Sequence, residues 1–346
     1  MRDDITLHIG GQLYYGWKEL SVNRSIEAAA DDFSFTITDK WAESMKRRPI
    51  RLGSPAEVFL GKEKIVTGYI DRVRPRTRPD SRTVQIAGRS KIADLVDCSD
   101  YPRNRRYVNQ TLASLAREVA KPYGITVIEE AETQRISAVV AEKEETGFEF
   151  LEKQARAQAV RLVGNADGNL VITRASNQRI ETALVMGENI EEAEAEHSHR
   201  NRFSHYYFPG QRPGSDETMG ADAAHILGRA EDTVIRYRPT TIVMEGSTDP
   251  AGAKRRAEWQ RNVNYGRSRS AAYTVTGWRH KDDIWRPNRL VYVNDPWSGF
   301  DGEWLMIASV EFVRGKSGRR TKLGVMGPEA FDLIPLPAED DEGGWG

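Results

Sequence analysis

Between Lys64 and Cys98 the chain reads KIVTGYIDRVRPRTRPDSRTVQIAGRSKIADLVDC, and this stretch restricts the fold more than any other. Val66, Gly68 and Ile70 share one face of an extended chain while Ile65, Thr67, Tyr69 and Asp71 share the other, which predicts a strand covered on both sides. Thr83 to Gly88 alternates in the same way and predicts the return strand. Between them Pro75 and Pro79 stand among Arg72, Arg74, Arg76, Arg78 and Arg82. Proline cannot donate to a ladder, so this arm is expected to be a stiff, solvated loop. After Gly88 the apolar residues Ile92, Leu95 and Val96 change to helical spacing, so a β unit ends near Ile92.

Upstream, Ile5 to His8, Leu13 to Ile26 and Phe33 to Thr38 are expected as antiparallel strands, with Gly10-Gly11 as the first turn. Val58 to Leu60 and the two strands above complete a small barrel. From Asn109 the period is helical: Leu112, Leu115, Ala116 and Val119 make one buried stripe, stopped by Pro122 and Gly124. A short strand follows from Ile125 to Glu129. Thr146 and Glu149 stand in capping-box spacing before the stripe Phe148, Leu151, Ala155 and Ala159. Arg161 to Gly164 and Leu170 to Thr173 flank an Asp-Gly step that favours a hairpin.

Glu188 to Phe208 has strand character and is expected to turn at Pro209-Gly210, after which Gly214 to Ile235 is polar and weakly patterned. Asp249-Pro250 signals a helix start, and a basic helix with a meagre apolar face, Ala253, Ala257 and Val263, is expected to run to about Tyr265 with Trp259 off the stripe. Tyr273 to Trp278, Arg289 to Asn294, Trp304 to Arg314 and Thr321 to Met326 return to strand pattern. Their Gly277-Trp278 echoes Gly16-Trp17 early in the first barrel, so a divergent second barrel is expected.

The chain has 346 residues, more than one hydrophobic core usually serves. Its formal net charge of -1 argues against a dedicated nucleic-acid binder. Cys98 is the single cysteine, which excludes an intramolecular disulfide, a thiolate zinc cluster and a CxxC pair. No run approaches the roughly 20 apolar residues of a membrane helix.

His197, His199 and His205 fall in one expected strand, but no further metal ligand stands with them, and exposed histidines are expected. Glu188, Glu191, Glu192, Glu194 and Glu196 are read as solvated carboxylates on a wall, not as the opposed pair a glycosidase needs. No nucleophile elbow, zinc helix, phosphate loop or dinucleotide fingerprint occurs. No catalytic, metal or cofactor residue is nominated. The arginine arm, which lacks interleaved aromatics for base stacking, is read as a protein contact ahead of a contact to nucleic-acid phosphates, Trp259 is a further candidate for protein contact, and Trp278, Trp285, Trp297 and Trp304 are read as barrel core ahead of interface anchors.

GYID at 68–71 with AGRSKIADLVDC at 87–98 resembles the signature of the baseplate hub proteins of Mu-like contractile phages, relatives of the late control protein D family and of type VI spike hubs. NQTL at 109–112, KPYGI at 121–125 and GWRHKDDIWRPNRLVYV at 277–293 extend the resemblance from about Gly11 to Pro335. Ser90 and Ile92 replace the acidic residue and threonine usual in the family motif. The resemblance implies an α+β, mainly β fold: two tube-like antiparallel barrels with an inserted α+β domain. It also implies a structural homotrimer of quasi-six-fold symmetry, made in the host cytoplasm and placed in the virion tail baseplate. Its implied partners are the tail tube protein, the central spike protein, baseplate wedge and other tail proteins, and the tape-measure protein and DNA passing through a channel, with no cofactor and no membrane insertion. A baseplate-borne cell-wall hydrolase is the alternative, for which no spare domain is evident.

The expected domains are a first barrel at 1–92, a peripheral α+β domain from 93–179 with 213–270, a second barrel from 180–212 with 271–334, and an acidic disordered tail at 335–346. Glu192, Glu194 and Glu196 are the candidates for lining the channel, since carboxylates let a phosphate backbone slide past.

Overall fold

The computed structural model describes residues 4–38, 50–99, 106–142, 144–158, 160–210, 226–243 and 250–331. The expected acidic tail 335–346, the Asp249 cap, Ala159 and the first part of the weakly patterned stretch, 214–225, lie outside these residues. The chain divides into two compact units, Met1–Arg156 with Val160–Glu194 and Ala272–Val325, and Ala157–Ala159 with Ala195–Ala271 and Met326–Gly346. The architecture is mainly β with added helices, an α+β fold.

In the larger unit the first barrel-like sheet comprises β1 (Ile5–Ile9), β2 (Gln12–Tyr14), β3 (Glu19–Ser25), β4 (Asp32–Thr38), β5 (Pro55–Leu60), β6 (Glu63–Thr77) and β7 (Arg82–Ser90). Gly10 and Gly11 make the first turn with φ of 55° and 80°, the left-handed region open to glycine. Leu13 to Ile26 is not one strand. It breaks at Gly16, φ 80°, so that Trp17 turns inward, donates its indole N–H to the Ile5 carbonyl at 3.1 Å and packs on Phe35.

The arginine arm is also not a loop. β6 runs through Pro75 to Thr77, paired with β7 as far as Thr77 opposite Arg82, and only 78–81 turn. Proline is tolerated because β5 ends at Pro55 opposite Tyr69, which leaves the far side of β6 an edge among the described residues.

A short helix α1 (Ile92–Asp97) leads into an inserted layer of β8 (Arg106–Thr111), α2 (Leu112–Ala120), β9 (Val127–Glu129), β10 (Arg135–Val140), α3 (Gly147–Ala157), β11 (Arg161–Gly164) and β12 (Leu170–Thr173). Thr111 caps α2 by accepting from the Ser114 N–H. At α3 the Thr146 N–H donates to Glu149 Oε2 at 2.9 Å and the Glu149 N–H donates to Thr146 Oγ1 at 3.2 Å, the reciprocal box the spacing predicts. Leu112, Leu115, Ala116, Leu151, Ala155 and Leu170 sit in the core of this layer. The tip of the β11–β12 hairpin meets β6: Thr67 donates to the Ala166 carbonyl at 2.8 Å, and Lys64 pairs with Asp167 at 3.2 Å.

β13 (Leu184–Val185) and β14 (Ile190–His197) follow. The smaller unit contains β15 (His205–Gly210), β16 (Ile226–Glu231), β17 (Pro239–Thr241) and α4 (Pro250–Arg267), with β15 central. Pro209-Gly210 ends a strand instead of turning it, and the described part of the weakly patterned stretch contains β16. The buried side of β16 is Gly228 and Ala230, too small to give an apolar signal. A Cβ at Gly228 would meet the Ala253 carbonyl of α4 at 2.1 Å. Tyr206, Phe208, Ala230 and Ala257 form the core there.

The expected peripheral domain therefore divides differently. Residues 92–156 and 160–174 belong with the larger unit and 195–271 with the smaller, and each group has a core of its own.

The second barrel-like sheet is completed by β18 (Arg269–Thr276), β21 (Leu290–Asp295), β22 (Phe300–Gly315) and β23 (Gly318–Met326), with β19 (Arg279–His280) and β20 (Asp283–Ile284) paired to each other as a separate ribbon between β18 and β21 in the chain. Its strands run β14-β18-β23-β22 with β21 beside β22, the order in which β3-β4-β7-β6-β5 runs in the first. Gly277, φ 78°, precedes Trp278, which is buried and donates its indole N–H to the Val313 carbonyl at 3.0 Å, as Gly16-Trp17 does in the first sheet. The two sheets are a structural repeat. They are joined edge to edge, because β22 pairs with β21 through Met306 and then with β3 from Ser309 to Arg314.

Candidate functional site

Among the described residues no group of three or more His, Cys, Asp or Glu side chains is placed to hold a metal. His197 ends β14, His199 lies beyond it and His205 opens β15, so the three expected strand-mates occupy a broken path. His205 stacks instead on Tyr207 with ring centroids 6.0 Å apart. No described helix is long and apolar enough to cross a membrane.

A cleft of about 300 Å³ opens where the first sheet, the inserted layer and the second sheet meet, and Arg24, Lys64, Arg286 and Arg289 line it. Its cations are largely engaged: Arg24 with Asp31 at 3.2 Å, Lys64 with Glu57 at 2.8 Å, and Arg286 with Glu63 at 2.8 Å. The cleft reads as an ionic joint that fixes three elements, and the Ser25 hydroxyl in it donates to the Ala308 carbonyl at 3.2 Å. Burial pushes the Asp31 carboxyl up to about 6 although Arg24 opposes the shift.

A carboxyl whose folded value exceeds its unfolded one binds its proton more tightly in the folded state, so the fold is more stable at low pH than at high pH. That contribution is fully present below about pH 4 and is lost as pH rises to about 6. Wild type is therefore expected to lose up to about 3 kcal/mol relative to Asp31→Asn between pH 4 and 7, read from urea unfolding of both proteins. Parallel pH profiles would contradict it.

The sheet offers two polar surfaces. On the side away from the core, Ser21, Ser34, Thr36, Gln85, Glu311 and Lys322 form a continuous hydrophilic face across β3, β4, β7, β22 and β23. Ser21 donates to Glu311 at 2.7 Å and Gln85 to Ser34 at 3.0 Å. Glu191 of β14 belongs to this face, since it accepts from Thr276 and pairs with Arg320 at 2.5 Å. By strand alternation Glu192, Glu194 and Glu196 lie on the opposite face of β14, and all three are exposed.

The interface candidates Arg72, Arg74, Arg76, Arg78 and Arg82 are all exposed on the β6–β7 arm. Arg72, Arg74 and Arg76 stand opposite Ala87, Gln85 and Thr83, so they share the hydrophilic face. Trp259 is half-buried on α4 with the Arg256 guanidinium 4.2 Å from its ring centre. Trp278 and Trp285 are core residues, Trp304 stacks under Arg179, and Trp297 is 87% exposed. What sequence reasoning missed is that both charged segments are strand edges. The signal available was the pairing of each with one neighbour only.

Residues 4–90 match the model of the Mu phage baseplate assembly protein GpP-like N-terminal domain, 92–174 that of the baseplate hub protein gp44-like second domain, and 249–334 that of the GpP fourth domain. Baseplate hub protein gp44 of Escherichia phage Mu is 30% identical over 350 residues, covering 98% of this chain and 91% of that protein. The 43 kDa tail protein of prophage MuSo2 from Shewanella oneidensis is 36% identical with a TM-score of 0.85, covering 96% of this chain and all of that one. A tail protein from Neisseria meningitidis MC58 shares the fold with a TM-score of 0.82 at 23% identity, over 97% of this chain and 100% of that chain. Matched along almost its whole length and in the paired sheets described above, this chain belongs to the baseplate hub family of Mu-like phages.

Proposed function

We propose that the chain is a structural, non-catalytic hub: a homotrimer whose six barrel-like sheets form a ring of quasi-six-fold symmetry between the hexameric tail tube and the trimeric central spike. The observation that supports this reading is the repeat itself, β3-β4-β7-β6-β5 followed by β14-β18-β23-β22-β21 in one chain. An adapter between six-fold and three-fold partners needs two near-equivalent modules per chain, because closed rings are built from repeated interfaces. Wedge and other tail proteins would meet the outer surfaces, with the arginine arm and Trp259 among the contacts. The ring would sit in the virion baseplate and enclose the channel for DNA and the tape-measure protein.

The wall of such a channel must not retain phosphate, and free cations would do so by releasing counterions. β14 contributes carboxylates whichever face turns inward, Glu192, Glu194 and Glu196 on one and Glu191 on the other. Sedimentation of the full-length chain, alone and with its spike protein, tests the assembly. Three times the chain mass is expected, and a stable monomer at micromolar concentration under both conditions would contradict it.

A further inference from the structure

In the smaller unit the sheet of β15, β16 and β17 is covered by α4 on one face only. Tyr206, Phe208 and Ala230 turn inward on Ala257 of that helix. By strand alternation the other face carries His205 and Tyr207 of β15 with Leu227, Arg229 and Glu231 of β16. A sheet face turned to water is ordinarily polar. Here it holds a row of rings instead: Tyr207 and His205 have centroids 6.0 Å apart, and His205 meets Tyr237, from the loop before β17, at 5.7 Å. Tyr237 is 79% exposed, and Val234 of the same loop is exposed as well. The Arg229 guanidinium lies 5.9 Å from the Tyr207 ring centre, and the exposed Arg236 directly precedes Tyr237.

Aromatic and arginine side chains exposed side by side mark a surface that takes a partner. The occupant that fits is acidic and carries a ring of its own, and this chain supplies one: Glu339-Asp340-Asp341-Glu342 followed by Trp345. We propose that residues 339–345 bind across the outer face of β15–β17 in the same chain, with the carboxylates on Arg229 and Arg236 and the indole against the row of rings.

The segment departs from the same unit as the sheet. Pro328–Phe331 forms a short 3-10 turn against α4, so close that a Cβ at Gly266 would stand 2.3 Å from the Ala330 nitrogen, and residues 326–346 group with the sheet. Residues 332–338 reach about 24 Å when extended, roughly twice the ~10–12 Å diameter of the helix they leave. Within one chain the effective concentration is on the order of millimolar, so a dissociation constant of about 0.1 mM fills about nine tenths of the faces. Nucleic acid fits this face less well, because two arginines release few counterions and Glu231 stands on the same face.

Hydroxyl-radical footprinting of the full-length chain tests this, with the Tyr237 ring as reporter. Glu339→Lys, Asp340→Lys, Asp341→Lys and Glu342→Lys together are expected to raise Tyr237 modification at least about threefold, since they empty a face that is otherwise mostly filled. Adding Arg229→Glu and Arg236→Glu to those four reverses both partners and is expected to bring modification back to near the wild-type level. Arg229 and Arg236 are exposed, and an unchanged thermal midpoint checks that each variant folds. Equal Tyr237 modification in wild type and the four-lysine variant, or no return in the six-substitution variant, would overturn the assignment. Wild-type modification that falls only when single-stranded DNA is added would overturn it in favour of nucleic acid. Wild-type modification that rises on dilution through the micromolar range would place a second copy's segment on the face and overturn the contact within one chain.

Discussion

Gly68→Ala is expected to destabilise the larger unit by at least about 3 kcal/mol, the upper end of the usual cost of overpacking. A Cβ at Gly68 would stand 1.8 Å from the Arg89 carbonyl oxygen and 2.7 Å from Ser90 Cα, and both obstacles are backbone that no rotamer change can clear. Gly88 meets the same limit from the other strand, 2.0 Å from the Tyr69 carbonyl oxygen. The glycines of GYID and AGRS are therefore there because β6 and β7 approach too closely for side chains. A shift in thermal midpoint on the order of 10 °C follows for a unit of this size. Gly11→Ala is the control: its φ is 80° but nothing lies within 4 Å, so it is expected to cost only about 1–2 kcal/mol. Equal midpoints for Gly68→Ala and wild type would show that the two strands can part.

Asp232→Ala is expected to cost the smaller unit about 3–5 kcal/mol, because it leaves a buried cation without its partner. Arg202 donates through Nε at 2.9 Å and Nη2 at 2.6 Å to the same Asp232 oxygen, and both side chains are only 8% exposed. The Arg202 guanidinium also lies 5.1 Å from the Tyr265 ring centre, so it cannot swing to water without giving up that contact. Replacing both residues, Arg202→Met with Asp232→Leu, is expected to cost much less than the single change, since no charge is then stranded. Hydrogen exchange of the β15–β17 amides measures it. Full protection in Asp232→Ala would mean the pair adds nothing.

The hairpin of Lys64 to Gly88, the capping box at Thr146 and the Gly-Trp corners could be read from the residues because each is a local pattern with a local cause. The arginine arm was misjudged for a physical reason. Proline bars a strand only where its missing N–H faces a partner, and which side of β6 is open depends on where β5 stops. β16 was invisible because the groups it buries are a glycine and an alanine pressed on α4. The division of the chain after residue 194 depends on contacts between segments far apart in sequence, which spacing does not encode. The candidate site was legible only as composition, a run of glutamates and a run of arginines. Its meaning lies in both runs being strand edges with no described strand beyond them, which only the sheet order exposes.

The most direct measurement is electron cryo-microscopy of the baseplate centre in particles that carry this chain. Three copies per particle are expected, with six barrel-like sheets around one channel and the two sheets of each chain alternating around it. Six copies per ring, or three copies in which only one sheet of each chain reaches the channel, would contradict the role of the internal repeat.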